Sequence, residues 1–248
     1  MVTLLLKKSY QHKDHKEIKF NDLWNAHGVF TTMRVVGKNK KILFFKEHID
    51  NLIKSLKNYG LNRKDLKKTI LRLIRTNLPN MKNFDHLFRV AVNSKMISIS
   101  LRKRNKSKLN FKLKLLDYKR VDPQHKNLKY KKILTFLKKL DNREYDVALH
   151  KNKKFLETGT SNLLFVQNKN IFSPKTSFYS GTTFKFFRKK IKITLKDIKL
   201  KDVKNYEEII LIGSGKAVTS VSKIEKLQWK RKSFEIFYKL KKIYNKQL

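Results

Sequence analysis

The stretch Glu157–Thr183, ETGTSNLLFVQNKNIFSPKTSFYSGTT, decides how the whole chain is read. Glu157 leads into a Thr-Gly-Thr-Ser turn. SNLLFVQ (161–167) and IFS (171–173) then read as short strands joined across Asn168-Lys169-Asn170. Gly181-Thr182-Thr183 precedes an apolar run expected to be helical over 182–191, and free backbone amides at such a start suit a phosphate. A carboxylate for a ring nitrogen, amides for a phosphate and an amine from elsewhere together suit an anionic aromatic cofactor.

Downstream, EEIILIGSG (207–215) is an almost wholly apolar strand ending in Gly213-Ser214-Gly215, a second place where backbone amides can cradle an anion. GSGK here is not a nucleotide-binding loop. The upstream Gly of that motif is missing, and Ala217 stands where Ser or Thr belongs. A closing amphipathic helix is expected over 231–246, on Phe234, Phe237, Leu240 and Tyr244. Upstream, FKLKLLDY (111–118) and DVALHK (146–151) read as strands, with a helix between them over 130–140.

The first half has the same mixed character. GVFTTMRVV (28–36) and KILFFK (41–46) read as strands around a GKNK turn. Helices follow over 46–59, closed by Gly60, and over 63–76, before a hairpin of 87–92 and 96–102. The expected fold class is therefore α/β (α+β) in two lobes: a small N-terminal domain at 1–101, a charged linker at 102–108 and a larger C-terminal domain at 109–248.

Composition narrows the function. The chain has 248 residues, no Cys and a formal net charge of +42. Without cysteine there is no disulfide, thiolate metal site or cysteine nucleophile. The seven histidines show no ligand spacing, so no metal is expected. The basic residues are mostly lysines spread along every segment, whereas a dedicated phosphate reader favours the arginine fork. No specific nucleic-acid partner is expected. MVTLLLKKSYQHKDHK has too short an apolar run for a secretory leader, and no window reaches the ~18 apolar residues of a membrane span. The expectation is a soluble cytoplasmic protein with no membrane association.

In this order the motifs resemble one known family, the fold-type IV pyridoxal-phosphate enzymes, or class-IV aminotransferases. GVFTTMRV (28–35), EHIDNLIKS (47–55), NLKY (127–130), ALHKNKKFLETGTSNLLFV (148–166), SGTT (180–183) and GSGKAVTSV (213–221) each resemble a segment of that family. The resemblance implies pyridoxal 5'-phosphate as cofactor, with Lys129 as the Schiff-base and proton-transfer lysine. It implies Glu157 as the partner of the pyridine nitrogen, and Thr182, Thr183, Ser214 and Gly215 around the phosphate. It also implies a homodimer. Two family arginines are replaced, by Asn51 and Phe184. Within the family, Phe30-Thr31-Thr32-Met33-Arg34 is closer to the 4-amino-4-deoxychorismate lyases, which release 4-aminobenzoate and pyruvate for folate synthesis, than to the branched-chain or D-amino-acid aminotransferases. A non-catalytic, basic nucleic-acid-binding descendant is the remaining alternative.

Overall fold

The computed structural model describes residues 4–248. It divides into two compact units. One runs to Arg104 and takes in His125–Lys131; the other comprises Asn105–Gln124 and Lys132–Leu248. The segment bearing Lys129 thus belongs to the first unit, although the sequence reading placed it in the second.

The first unit is one antiparallel sheet covered by two helices. Its elements are β1 (Leu4–Gln11), β2 (Glu17–Ile18), β3 (Gly28–Gly37), β4 (Lys41–Ile42), α1 (Phe45–Asn58), α2 (Leu66–Asn77), β5 (Phe84–Asn93) and β6 (Met96–Lys103). The sheet order is β2-β1-β6-β5-β3-β4. β3 and β5 pair along their full length, from Gly28 opposite Asn93 to Gly37 opposite Phe84. That register puts Val29, Met33, Val35, Phe88, Val90 and Val92 into a core with Ile49, Leu52 and Leu56 of α1 and Ile70 and Leu73 of α2. The helical partners recur at three- and four-residue spacing, so each helix buries one stripe. Gly60, at φ 66°, supplies the left-handed residue just after α1.

Two expectations change here. KILFFK is a strand only at Lys41–Ile42; Phe44 is left-handed at φ 54° and Phe45 already opens α1. The apolar run continues because Leu43 is buried, while the backbone turns beneath it. LLLKKSYQ, read only as too short for a leader, is β1 and pairs with β6.

The second unit contains β7 (Lys112–Asp117), α3 (Lys131–Leu137), β8 (Tyr145–Lys151), β9 (Lys154–Thr158), β10 (Asn162–Gln167), β11 (Asn170–Pro174), α4 (Thr182–Arg188), β12 (Thr194–Lys196), β13 (Glu208–Gly213), β14 (Ala217–Ser220), β15 (Lys223–Ile224) and α5 (Glu235–Asn245). They form a four-stranded sheet, β15-β7-β8-β9, and a five-stranded sheet, β12-β11-β10-β13-β14. Phe111, Leu113, Ala148 and Phe155 meet Leu163, Phe165, Ile209 and Leu211 in one buried cluster between the sheets. β10 and β11 turn through Asn168 (φ 49°) and Lys169 (φ 61°), the primed geometry that matches strand twist. The closing helix begins at Glu235, not 231, because the Glu208 carboxylate accepts the Ile236 and Phe237 amides at 2.8 Å each and fixes its first turn. Among the described residues no helix is long and apolar enough to cross a membrane.

Candidate functional site

Glu157 lies in strand β9, opposite Leu149 of β8, directly before the turn it was expected to lead into. The strand was hidden in the sequence by its lead-in, KNKK, which has no apolar alternation. Pairing with β8 points Glu157 into the protein, where its side chain is 7% exposed. Its Oε1 accepts a hydrogen bond from Arg120 Nε at 2.7 Å, and its Oε2 accepts the Tyr179 amide at 3.2 Å. Arg120, itself 2% exposed, also donates to the Pro123 carbonyl at 2.9 Å. A buried carboxylate needs such partners to stay charged. A ring N–H is a donor of the kind that a carboxylate oxygen, with its two lone pairs, accepts.

Tyr179 belongs to the same group. Burial, with the Glu157 charge adding to it and the Arg120 charge opposing, pushes its phenol up to about 12. At neutral pH it remains an O–H donor.

The Gly-Thr-Thr segment is tied to this group through Asn162, the first residue of β10. Asn162 Nδ2 donates to the Tyr179 carbonyl at 2.6 Å, and its Oδ1 accepts the Gly181 amide at 3.3 Å. A Cβ on Gly181 would lie 2.9 Å from that same oxygen, so the chain can pass here only without a side chain. Thr182 and Thr183 follow, both buried at the start of α4. Asn162 is also paired with Ile212 of β13, and Gly213 packs against Ser161. Ser214 and Gly215 therefore leave the sheet beside the 159–162 turn. Beneath that turn, Asp146 accepts hydrogen bonds from Thr158 Oγ1 at 2.8 Å and Thr160 Oγ1 at 2.5 Å. Burial raises the Asp146 carboxyl, against the Lys216 charge.

Of the expected site residues, the second unit thus brings together Glu157, Thr182, Thr183, Ser214 and Gly215. Lys129 lies in the first unit and is exposed; its amide donates to Asn127 Oδ1 at 3.2 Å. Arg120, Tyr179, Asn162 and Asp146 were missed by sequence reasoning. Arg120 left only a weak signal, one of the few arginines in a lysine-rich chain, which is the choice a buried fork-shaped contact favours.

The residues fit pyridoxal phosphate on an observation independent of the resemblance. Thr183 Oγ1 is buried and, among the described residues, has no hydrogen-bond partner, in the Gly-Thr-Thr segment whose amides suit a phosphate. The replaced arginines also become intelligible. Phe184 is fully buried and meets Phe178 edge-on, with ring centroids 5.5 Å apart, so that position serves packing. Lys216, next to the second turn, directs its Nζ to the Asn142 carbonyl.

Solved structures share this fold across nearly the whole chain. A branched-chain aminotransferase of Thermoproteus uzoniensis with norvaline superposes with a TM-score of 0.77 at 16% identity, covering 96% of this chain and 93% of its own. A Legionella pneumophila protein assigned as a 4-amino-4-deoxychorismate lyase gives 0.74 at 15% identity, covering 95% and 98%. A Brucella abortus aminotransferase bound to the cofactor PLP gives 0.73 at 14% identity, covering 97% and 98%. No curated protein matches by sequence. The family profile of amino-transferase class IV matches residues 28–224, most of the chain, and the protein belongs to that family.

Proposed function

We propose that this protein is a pyridoxal-phosphate-dependent lyase that converts 4-amino-4-deoxychorismate to 4-aminobenzoate and pyruvate, working as a homodimer. The observation that carries the cofactor reading is the buried Glu157, which accepts hydrogen bonds from Arg120 and the Tyr179 amide. When bound, the cofactor supplies an electron sink. Glu157 holds the proton on the ring nitrogen and so keeps that sink effective. Thr182, Thr183, Ser214 and Gly215 hold the phosphate with hydroxyls and amides. The amine comes from the segment 125–131, which carries Lys129, the residue implied by the resemblance, and Lys126. With its amine free, that lysine would move the proton that leaves the amine-bearing carbon of the substrate. The enolpyruvyl C–O bond breaks, the ring aromatises, and enolpyruvate takes up a proton to become pyruvate.

The choice of lyase over aminotransferase is supported by Thr31. The resembling aminotransferase strand carries a glutamate there. In this chain the position is a hydroxyl bonded to His48 Nδ1 at 2.8 Å. Incubating the protein with 4-amino-4-deoxychorismate tests this. Release of 4-aminobenzoate and pyruvate without any 2-oxo acid is expected. Transamination that depends on 2-oxoglutarate, with no 4-aminobenzoate, would sink the lyase and leave the aminotransferase.

A further inference from the structure

We infer that the lysine joined to the cofactor is Lys126, and that Lys129 is a surface residue of the same segment. The inference rests on the cofactor reading proposed above. Residues 126–128 dock on the start of β3. The Phe30 amide donates to the Lys126 carbonyl at 2.8 Å, Val29 bridges Asn127, and the Leu128 amide donates to the Gly28 carbonyl at 2.9 Å. This pairing fixes which way each side chain points. Asn127, Leu128 and Tyr130 are buried, and Lys129 between them faces water. Among the described residues no hydrogen bond or ion pair fixes its Nζ.

Lys126 is placed differently. It is half-buried, and its Nζ lies 4.8 Å from the centroid of the Phe30 ring. Its charge also reaches His48, a buried residue of α1, whose imidazole is pushed down to about 3 mainly by burial and further by the Lys126 cation. Phe30 and His48 belong to two separate stretches that carry the family resemblance, GVFTTMRV and EHIDNLIKS. Both stretches therefore converge on Lys126 within one unit. A nucleophilic amine has to be fixed in position and partly withdrawn from water, and of the two lysines only Lys126 is so placed.

The chemistry is a condensation. Neutral Nζ adds to the aldehyde carbon, a C=N bond forms and one water leaves, with no change of oxidation state. Borohydride then delivers hydride to that bond and leaves a stable secondary amine on whichever lysine was joined. Peptide mapping by mass spectrometry of the full-length protein, loaded with pyridoxal phosphate and reduced, reads the position directly and needs no activity. One dominant phosphopyridoxyl peptide carrying Lys126 is expected, unchanged in Lys129→Arg and lost in Lys126→Arg. Label on Lys129, or scattered over surface lysines, overturns the inference but leaves a cofactor-binding protein. No label on any lysine overturns the cofactor reading itself, and the inference with it.

Discussion

Glu157 and Arg120 form an ion pair with almost no exposure on either side. Breaking such a pair by neutralising one member strands the other charge in a poorly solvated place, which costs about 3–5 kcal/mol. Glu157→Gln is therefore expected to lower unfolding free energy in urea by that order and to weaken the hold on a ring N–H. A loss below about 1 kcal/mol, the worth of an exposed pair, would mean that Arg120 finds water instead. His48 gives a second prediction, in pH. Its folded value of about 3 lies below the usual 6.5, so it is neutral in the native state over a range where the unfolded chain takes up a proton. Its contribution is complete above pH 6.5 and is lost as pH falls towards 3. Between pH 6.5 and 5 the wild type should lose about 1.1 kcal/mol per pH unit more than His48→Gln, since the other histidines are common to both. Parallel stability curves for the two proteins would refute this.

At the scale of elements, the critical contact is the seat of the 126–128 segment on β3. Gly28 has no room for a side chain: a Cβ would lie 2.3 Å from the Val92 carbonyl oxygen and 2.7 Å from Leu128 Cδ1. Gly28→Ala must push the segment off the strand, because the β5 backbone cannot yield without breaking its ladder. The expected loss is about 1–3 kcal/mol of stability, together with a reduced yield of the lysine adduct after borohydride. A variant that unfolds at the wild-type denaturant concentration and labels normally would show that the seat is loose. The same contact shows what the sequence could disclose. α1 and α2 were legible because buried residues recur at helical spacing, and the β10–β11 hairpin because Asn168-Lys169 is turn chemistry. β9 was not, since KNKK has no periodicity and its pairing with β8 supplies the order. Glu157, Thr182 and Thr183 were legible only as members of an ordered set of motifs. Arg120 and Tyr179 could not be found, because their roles come from contacts across long stretches of chain. Lys126 and Lys129 are indistinguishable by composition; only the direction of each side chain off the docked segment separates them.

The molecule as a whole carries 61 basic residues against 19 acidic ones. Lys216 is buried with its Nζ on the Asn142 carbonyl and the half-buried Lys196 lies over Phe172 at 3.7 Å, but most lysines lie on the surface of both units. A field of this sign attracts any polyanion by releasing its counterions, and that attraction carries no sequence information. The proposed phosphate site is the opposite case. With Phe184 buried against Phe178 and Asn51 neutral, neither arginine position offers a charged fork to the cofactor. A charge-assisted hydrogen bond is worth about 1.5–3 kcal/mol, so each missing arginine should lower affinity for pyridoxal phosphate roughly 10–150-fold against a relative that keeps it. The surface field and the proposed phosphate site should therefore respond differently to salt. Binding to random duplex DNA should collapse as sodium chloride rises from about 50 to 200 mM, by several orders of magnitude if six or more phosphates are engaged. Cofactor loading, followed by the reduced lysine adduct, should change little, because the buried Thr183 Oγ1 and the turn amides act at short range. Salt-resistant binding to one DNA sequence, with no adduct, would reverse the assignment and make the enzyme fold the scaffold of a nucleic-acid-binding protein.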